Sequence, residues 1–236
     1  MSDRDAGEHD RSGADAFWDT PEMAARMGDR PPDRRLAALL DEDRGIRRVL
    51  DAGCAGGRNA ALLARLGLDV HAFDAAPTMV EATRGRVAAI LGEEEARRRV
   101  RLGRLEDPAS WRPDGGAPFD LVLALGVLQD LPDEAATRRA IRLATCALRP
   151  GGRVLVANFG PDSRPAGVPL EPVAGHPHVR LGFAKGERRM TLPDAGTLDA
   201  WFAAEGLETE VPTEVVRTAT EMGVRVTVNA RYRSGG

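Results

Sequence analysis

A chain of 236 residues, 42% of them apolar, can bury one sizeable core, and its composition excludes a disordered protein. A net charge of −3 and a pI near 5.9 argue against an electrostatic nucleic-acid binder, which would carry a basic stripe. No apolar run approaches bilayer length and the charged N-terminus has no apolar signal core, so the expectation is a cytoplasmic protein with neither a nucleic-acid nor a membrane partner.

Residues 1–14 are rich in Asp, Arg, Gly and Ser and predict a disordered tail. Order is expected from Phe17-Trp18, in helical pieces broken by Gly28 and Pro31-Pro32, up to the apolar face of Arg35–Leu40. From Arg47 the pattern alternates: strand 47–52, helix 57–67, strand 69–73, helix 77–91, strand 99–103, strand 119–125, helix 133–148, strand 152–158. Such alternation predicts an α/β fold, a parallel sheet with helices on both faces. Residues 159–193 break the rhythm with Pro161, Pro165, Pro169, Pro172, Pro177 and Pro193. A loop of this length after the fifth strand, on the edge where open α/β sheets bind ligands, reads as a substrate cap. Helix 194–205 and two β-rich runs, 207–216 and 224–232, close the chain as a hairpin.

The stretch Val49-Leu50-Asp51-Ala52-Gly53-Cys54-Ala55-Gly56-Gly57-Arg58 reads as a strand end, a glycine-rich turn and a helix start. Glycines admit positive φ and the close approach of a ligand, and the helix behind them offers free N–H groups. Asp74 ends the next apolar run, where an acid can accept both ribose hydroxyls of an adenosine. Ala55 stands where the dinucleotide fingerprint needs its second glycine, which favours a ligand without a pyrophosphate. Cys54 and Cys146, the only cysteines, have no metal-site spacing, and Cys54 is expected to pack beneath the loop.

The run from Val49 to Gly57 resembles the first motif of the class I S-adenosylmethionine-dependent methyltransferases, with Ala55 in place of a third glycine. The resemblance continues through Asp74, through Phe119–Pro132 and through Leu148–Arg153, covering residues 46–160. It implies a Rossmann-like, seven-stranded, mostly parallel sheet with a C-terminal antiparallel strand over residues 46–236, and a segment, 15–45, that closes over the cleft with Phe17 and Trp18. S-adenosyl-L-methionine is the implied cofactor. On this resemblance Asp51 supports the loop or accepts from the methionine ammonium, and Gly53, Cys54, Ala55 and Gly57 lie against the methionine part with Arg58 beside them. Asp74 takes the ribose, Ala75 and Met79 flank the adenine, and Leu105 and Glu106 meet its edge, with Arg104 where many relatives carry Asp. Leu125–Leu131 runs past the transferable methyl.

The implied activity is transfer of that methyl to O, N, S or C of a small molecule, by a monomer or homodimer that holds no metal. A partner-dependent S-adenosylmethionine binder without catalysis and a nicotinamide oxidoreductase are the alternatives. Asp130 is a candidate general base, or a capping acid before the helix near Asp133. His176 and His178 share one side of an extended strand, and His176 is a second candidate base. Gln129, Phe159, His178 and Arg180 complete the substrate candidates. Arg180, Lys185, Arg188 and Arg189 make the cap basic, which suits a carboxylate or phosphate on the substrate.

Overall fold

The computed structural model describes residues 17–111, 116–165, 167–182, 188–221 and 223–235; the tail expected over residues 1–14 and Lys185 of the cap lie outside them. Five strands, β1 (Arg48–Ala52), β2 (Asp69–Asp74), β3 (Val100–Leu102), β4 (Phe119–Leu125) and β5 (Leu148–Phe159), run parallel in the order 3-2-1-4-5. The closing hairpin is β10 (Leu207–Thr220) and β11 (Gly223–Ser234). β11 lies antiparallel between β5 and β10, so the last strand is inserted beside the fifth as well as the sixth. A two-residue strand, β6 (Arg164–Pro165), extends the sheet against the start of β11.

Side-chain alternation sorts the strands onto two cores. Val49, Leu121, Leu123 and Leu155 face one side, where α2 (Arg34–Glu42), α3 (Arg58–Arg65) and α4 (Pro77–Leu91) bring Leu36, Leu39, Leu63 and Val87. Leu50, Val122, Val154 and Val156 face the other, against Ile141 of α7 (Glu134–Cys146) and Leu198 and Phe202 of α8 (Ala195–Ala204). Each of these buried side chains contributes about 1.5–3 kcal/mol. The strand order reverses between β1 and β4, and the crevice beyond their carboxyl ends is where such sheets take ligands.

Several elements were not expected from the sequence, among them a short helix and a small sheet in the cap. Helix α5 (Glu93–Arg99) follows the break at Gly92, whose φ is 88°. Its three glutamates and three arginines stand at the ends that the helix dipole favours, and Glu95 pairs with Arg99 at 2.6 Å. The region read as an irregular cap instead holds a three-stranded antiparallel sheet of β7 (Glu171–Val173), β8 (His176–Leu181) and β9 (Met190–Thr191) over a small core of Leu170, Met190 and Leu192. Pro172 lies in the edge strand β7, and Pro177, in the central β8, falls where the β7–β8 register is broken and has no partner in it. Short helices α1 (Pro21–Gly28), capped by Thr20, and α6 (Pro108–Trp111) complete the set used below. Among the described residues no helix is long and apolar enough to cross a membrane.

Candidate functional site

The glycine loop joins β1 to α3, and its glycines make room for protein. A Cβ at Gly53 would lie 2.8 Å from Val127, one at Gly56 2.3 Å from the α1 backbone, and one at Gly57 2.8 Å from Thr83. The glycines are thus required by the packing of Val127, α1 and Thr83 on the loop. The N–H groups of Gly53 and Cys54 both donate to Phe73 O, and that of Gly57 to Cys54 O, so the first turn is closed internally. Ala55 is the one non-glycine with positive φ among the described residues, 49°. Its N–H donates to Asp74 and its carbonyl accepts from Thr83 Oγ1 at 2.7 Å. Thr83, fully buried on α4, thus pins the loop; nothing local in the sequence marked it.

Asp51, on β1, lies near the N-terminus of α3, whose Ala60 N–H favours its ionised form. It is 2% exposed, and its Oδ2 is buried without a hydrogen-bond partner. Burial pushes its carboxyl up to about 7, against the pull of Arg58 and with added repulsion from Asp74. A buried acceptor left open in this way fits a cationic group brought by a ligand. Asp74 is half-buried at the end of β2, its two oxygens accepting Ala55 N–H at 2.9 Å and Ala76 N–H at 3.0 Å. The Cys54 thiol is buried and pushed well up, first by burial and then by Asp74 and Asp51, as its packing role requires.

Several expected cofactor contacts change. Met79 is 1% exposed beneath α1 and has no side-chain surface to offer an adenine. Leu105 is buried in the core on the α7 side, so it can offer only backbone. Ala75, Glu106 and Leu125 remain half-buried at the carboxyl edge of the sheet. Arg58 donates to Pro31 O at 3.0 Å, and buried Asn59 accepts from Asp33 N–H at 2.9 Å. This pair therefore anchors the connection between α1 and α2.

The second half of the site is built on Asp130. Its expected capping role falls to Asp133, which accepts the Ala136 N–H at 2.8 Å. Asp130 instead accepts from Trp18 Nε1 at 2.9 Å and is paired with Arg188. The Arg188 guanidinium, in a residue 7% exposed, lies 5.0 Å from the Phe17 ring and 5.5 Å from that of Trp18. Burial pushes Asp130 up to about 6, with Arg188 and the indole N–H pulling the other way. Asp19 accepts from the N–H and hydroxyl of Thr78 at 2.9 Å, so the N-terminal segment is fastened at both edges of the crevice.

The other substrate candidates divide. Gln129 is buried and its Oε1 accepts the Phe159 N–H at 2.8 Å, while Phe159 packs on the cap core. His176 Nδ1 meets Glu134 at 3.1 Å, and the His178 ring stands edge-on to Trp201 at 5.4 Å. Both histidines therefore join the cap to α7 and α8, and His176 is not among the groups bonded to Asp130. Arg180 turns back on Pro177 O and Val179 O. Arg188, and not Arg180, carries the cap's charge into the crevice.

A doubly wound sheet with an acid at the end of β2, an open buried acid below a glycine loop and a covered acid beyond β4 defines a class: a Rossmann-like domain for a small nucleoside cofactor. A family model described as a methyltransferase domain matches residues 23–210. The ubiquinone biosynthesis O-methyltransferase of Xanthomonas euvesicatoria pv. vesicatoria is 32% identical over 166 residues, 69% of this chain and 63% of that protein. The protein of the same name from Xylella fastidiosa is 33% identical over 167 residues, 69% and 61% of the two chains. The match thus spans less than two thirds of these relatives' own length. Among solved structures, the CcbJ methyltransferase from Streptomyces caelestis has a TM-score of 0.64 at 21% identity, covering 97% of this chain and 100% of that one. The 1,6-didemethyltoxoflavin-N1-methyltransferase of Burkholderia thailandensis, solved with S-adenosylhomocysteine, has a TM-score of 0.60 at 23% identity, covering 86% and 78%. The chain belongs to the class I S-adenosylmethionine-dependent methyltransferase family, and its cofactor is S-adenosyl-L-methionine.

Proposed function

We propose that this protein methylates a hydroxyl oxygen of a small molecule held in the crevice between the ends of β4 and β5 and the Phe17-Trp18 segment. The observation that carries the proposal is Asp130: a half-buried carboxylate, pushed up to about 6, held beyond the end of β4 by Trp18 and Arg188. The names of the curated relatives favour oxygen as acceptor.

Asp51 would hold the cofactor's ammonium and Asp74 its ribose, with the loop backbone at Ala55 between them. When bound, the cofactor supplies a methyl on a sulfonium, which needs an aligned nucleophile more than covalent help. The chain's residues supply the rest. Asp130 takes the hydroxyl proton as the oxygen bonds to carbon, and Arg188 keeps that carboxylate ionised at neutral pH. Phe17 and Trp18 exclude water from the same atoms. Gln129 fixes the end of β5 by its bond to Phe159, and so sets the distance between the crevice wall and Asp130.

The test is Asp130→Asn, assayed with a methylated acceptor found by screening hydroxylated metabolites. Turnover should fall by about 10²- to 10⁴-fold while cofactor affinity holds. Unchanged turnover would remove Asp130 from the chemistry. Binding of NAD in preference to S-adenosylhomocysteine, read by calorimetry, would sink the reading altogether.

A further inference from the structure

Outside the crevice, a groove of about 480 Å³ runs between the C-terminal end of α1 and the helices α3 and α4. Arg30, Arg58, Arg65 and Arg86 line it, with Asp29 as the only acid of the lining. Asp29 is already taken by Arg86 at 2.7 Å. Arg30, Arg58 and Arg65 form no ion pair among the described residues. Several arginines elsewhere are paired: Arg48 and Arg99 to Asp69, Arg153 and Arg231 to Glu210, Arg188 to Asp130. On a chain with net charge −3, four guanidiniums around one concavity with a single acid in its lining are a local excess of positive charge. Partial burial, and then repulsion from Arg26, Arg58 and Arg225, lowers the pKa of Arg30.

We propose that this groove is a second site, distinct from the methyl-transfer crevice, for a small molecule bearing a phosphate or diphosphate group. Planar guanidiniums bind phosphate oxygens in pairs, and the volume is in the range of small-ligand sites. None of Asp51, Asp74 or Asp130 lines the groove, so it is not a part of the cofactor cleft. Its ligand would nonetheless reach the cleft mechanically. Arg30 follows α1, and Gly28 at the end of α1 lies against Gly56 of the glycine loop. An anion bridging Arg30 to Arg58 and Arg65 therefore ties the covering segment to α3.

The experiment uses the full chain, without S-adenosylmethionine, and inorganic pyrophosphate as probe, so its outcome is separate from that of the methyl-transfer proposal. Pyrophosphate should raise the melting temperature in a saturable way, beyond sodium chloride at matched ionic strength, and bind in calorimetry. The double substitution Arg30→Ala, Arg65→Ala should weaken that binding by about tenfold or more, with S-adenosylhomocysteine affinity unchanged. Both side chains are exposed, so the core is spared. Equal stabilisation by chloride, equal pyrophosphate binding by the double variant, or binding only to phosphatidic acid vesicles and not to soluble pyrophosphate would each overturn the proposal.

Discussion

If the open Oδ2 of Asp51 receives the cofactor's ammonium, cofactor binding must be linked to one proton. In the ligand-free protein burial holds this carboxyl at about 7, so near pH 6 it is mostly neutral and near pH 8 mostly ionised. A cation favours the ionised form and lowers the pKa of the complex. Affinity should therefore rise with pH through about 7, by roughly tenfold, or about 1.4 kcal/mol, between pH 6 and pH 8. S-adenosylhomocysteine is the suitable titrant, since its amine stays protonated over this range. Calorimetry at pH 6 in buffers of different ionisation enthalpy should find close to one proton released per ligand bound. Asp51→Asn should bind weakly at every pH and show no release. A flat affinity in the native protein, or the same slope in Asp51→Asn, would mean that the ammonium goes elsewhere.

Four further outcomes follow from the same geometry. Asp74→Ala should weaken S-adenosylmethionine binding by about 1.5–3 kcal/mol by calorimetry, with an unchanged far-ultraviolet spectrum. Thr83→Val removes the bond to Ala55 O and should cost about 1–3 kcal/mol in urea unfolding, the penalty for an orphaned buried acceptor. Arg188→Ala should move the acid limb of the activity profile above its native position near 6, because the cation that pulls Asp130 down is lost, whereas Arg180→Ala should leave the profile alone. Glu210 accepts from Arg153 at 2.9 Å and forms an ion pair with Arg231, so Glu210→Ala should destabilise the β5, β10 and β11 edge by about 2–4 kcal/mol, read by denaturant melts.

The parallel sheet was legible because β1, β4 and β5 are short apolar runs spaced by helical stretches, and because Pro77 and Asp133 punctuate α4 and α7 at their N-termini. Asp51 and Asp74 were legible from their positions at or near strand ends beside the glycine loop. The partners of the glycines were not, since Val127, Thr83 and Gly28 lie far from the loop in sequence and meet it only in the fold. The same holds for Asp130: its neighbours favoured a cap over a base, and only the fold shows that Asp133 makes the cap while Asp130 accepts from Trp18, 112 residues away. His176 and His178 misled because spacing shows a shared side but not what covers it, here α7 and Trp201. The cap sheet escaped notice because the strands that flank β8 are only two and three residues long and lie among prolines, so they leave no period to read.

The central claim is tested most directly by incubating the protein with S-adenosylmethionine labelled in its methyl group and a low-molecular-mass metabolite extract, then separating the products by size and chromatography. The account predicts label in a small molecule, dependent on the protein and lost in Asp74→Ala. Tight binding of the labelled cofactor with no transfer to any small molecule, or label found on protein or nucleic acid instead, would contradict it.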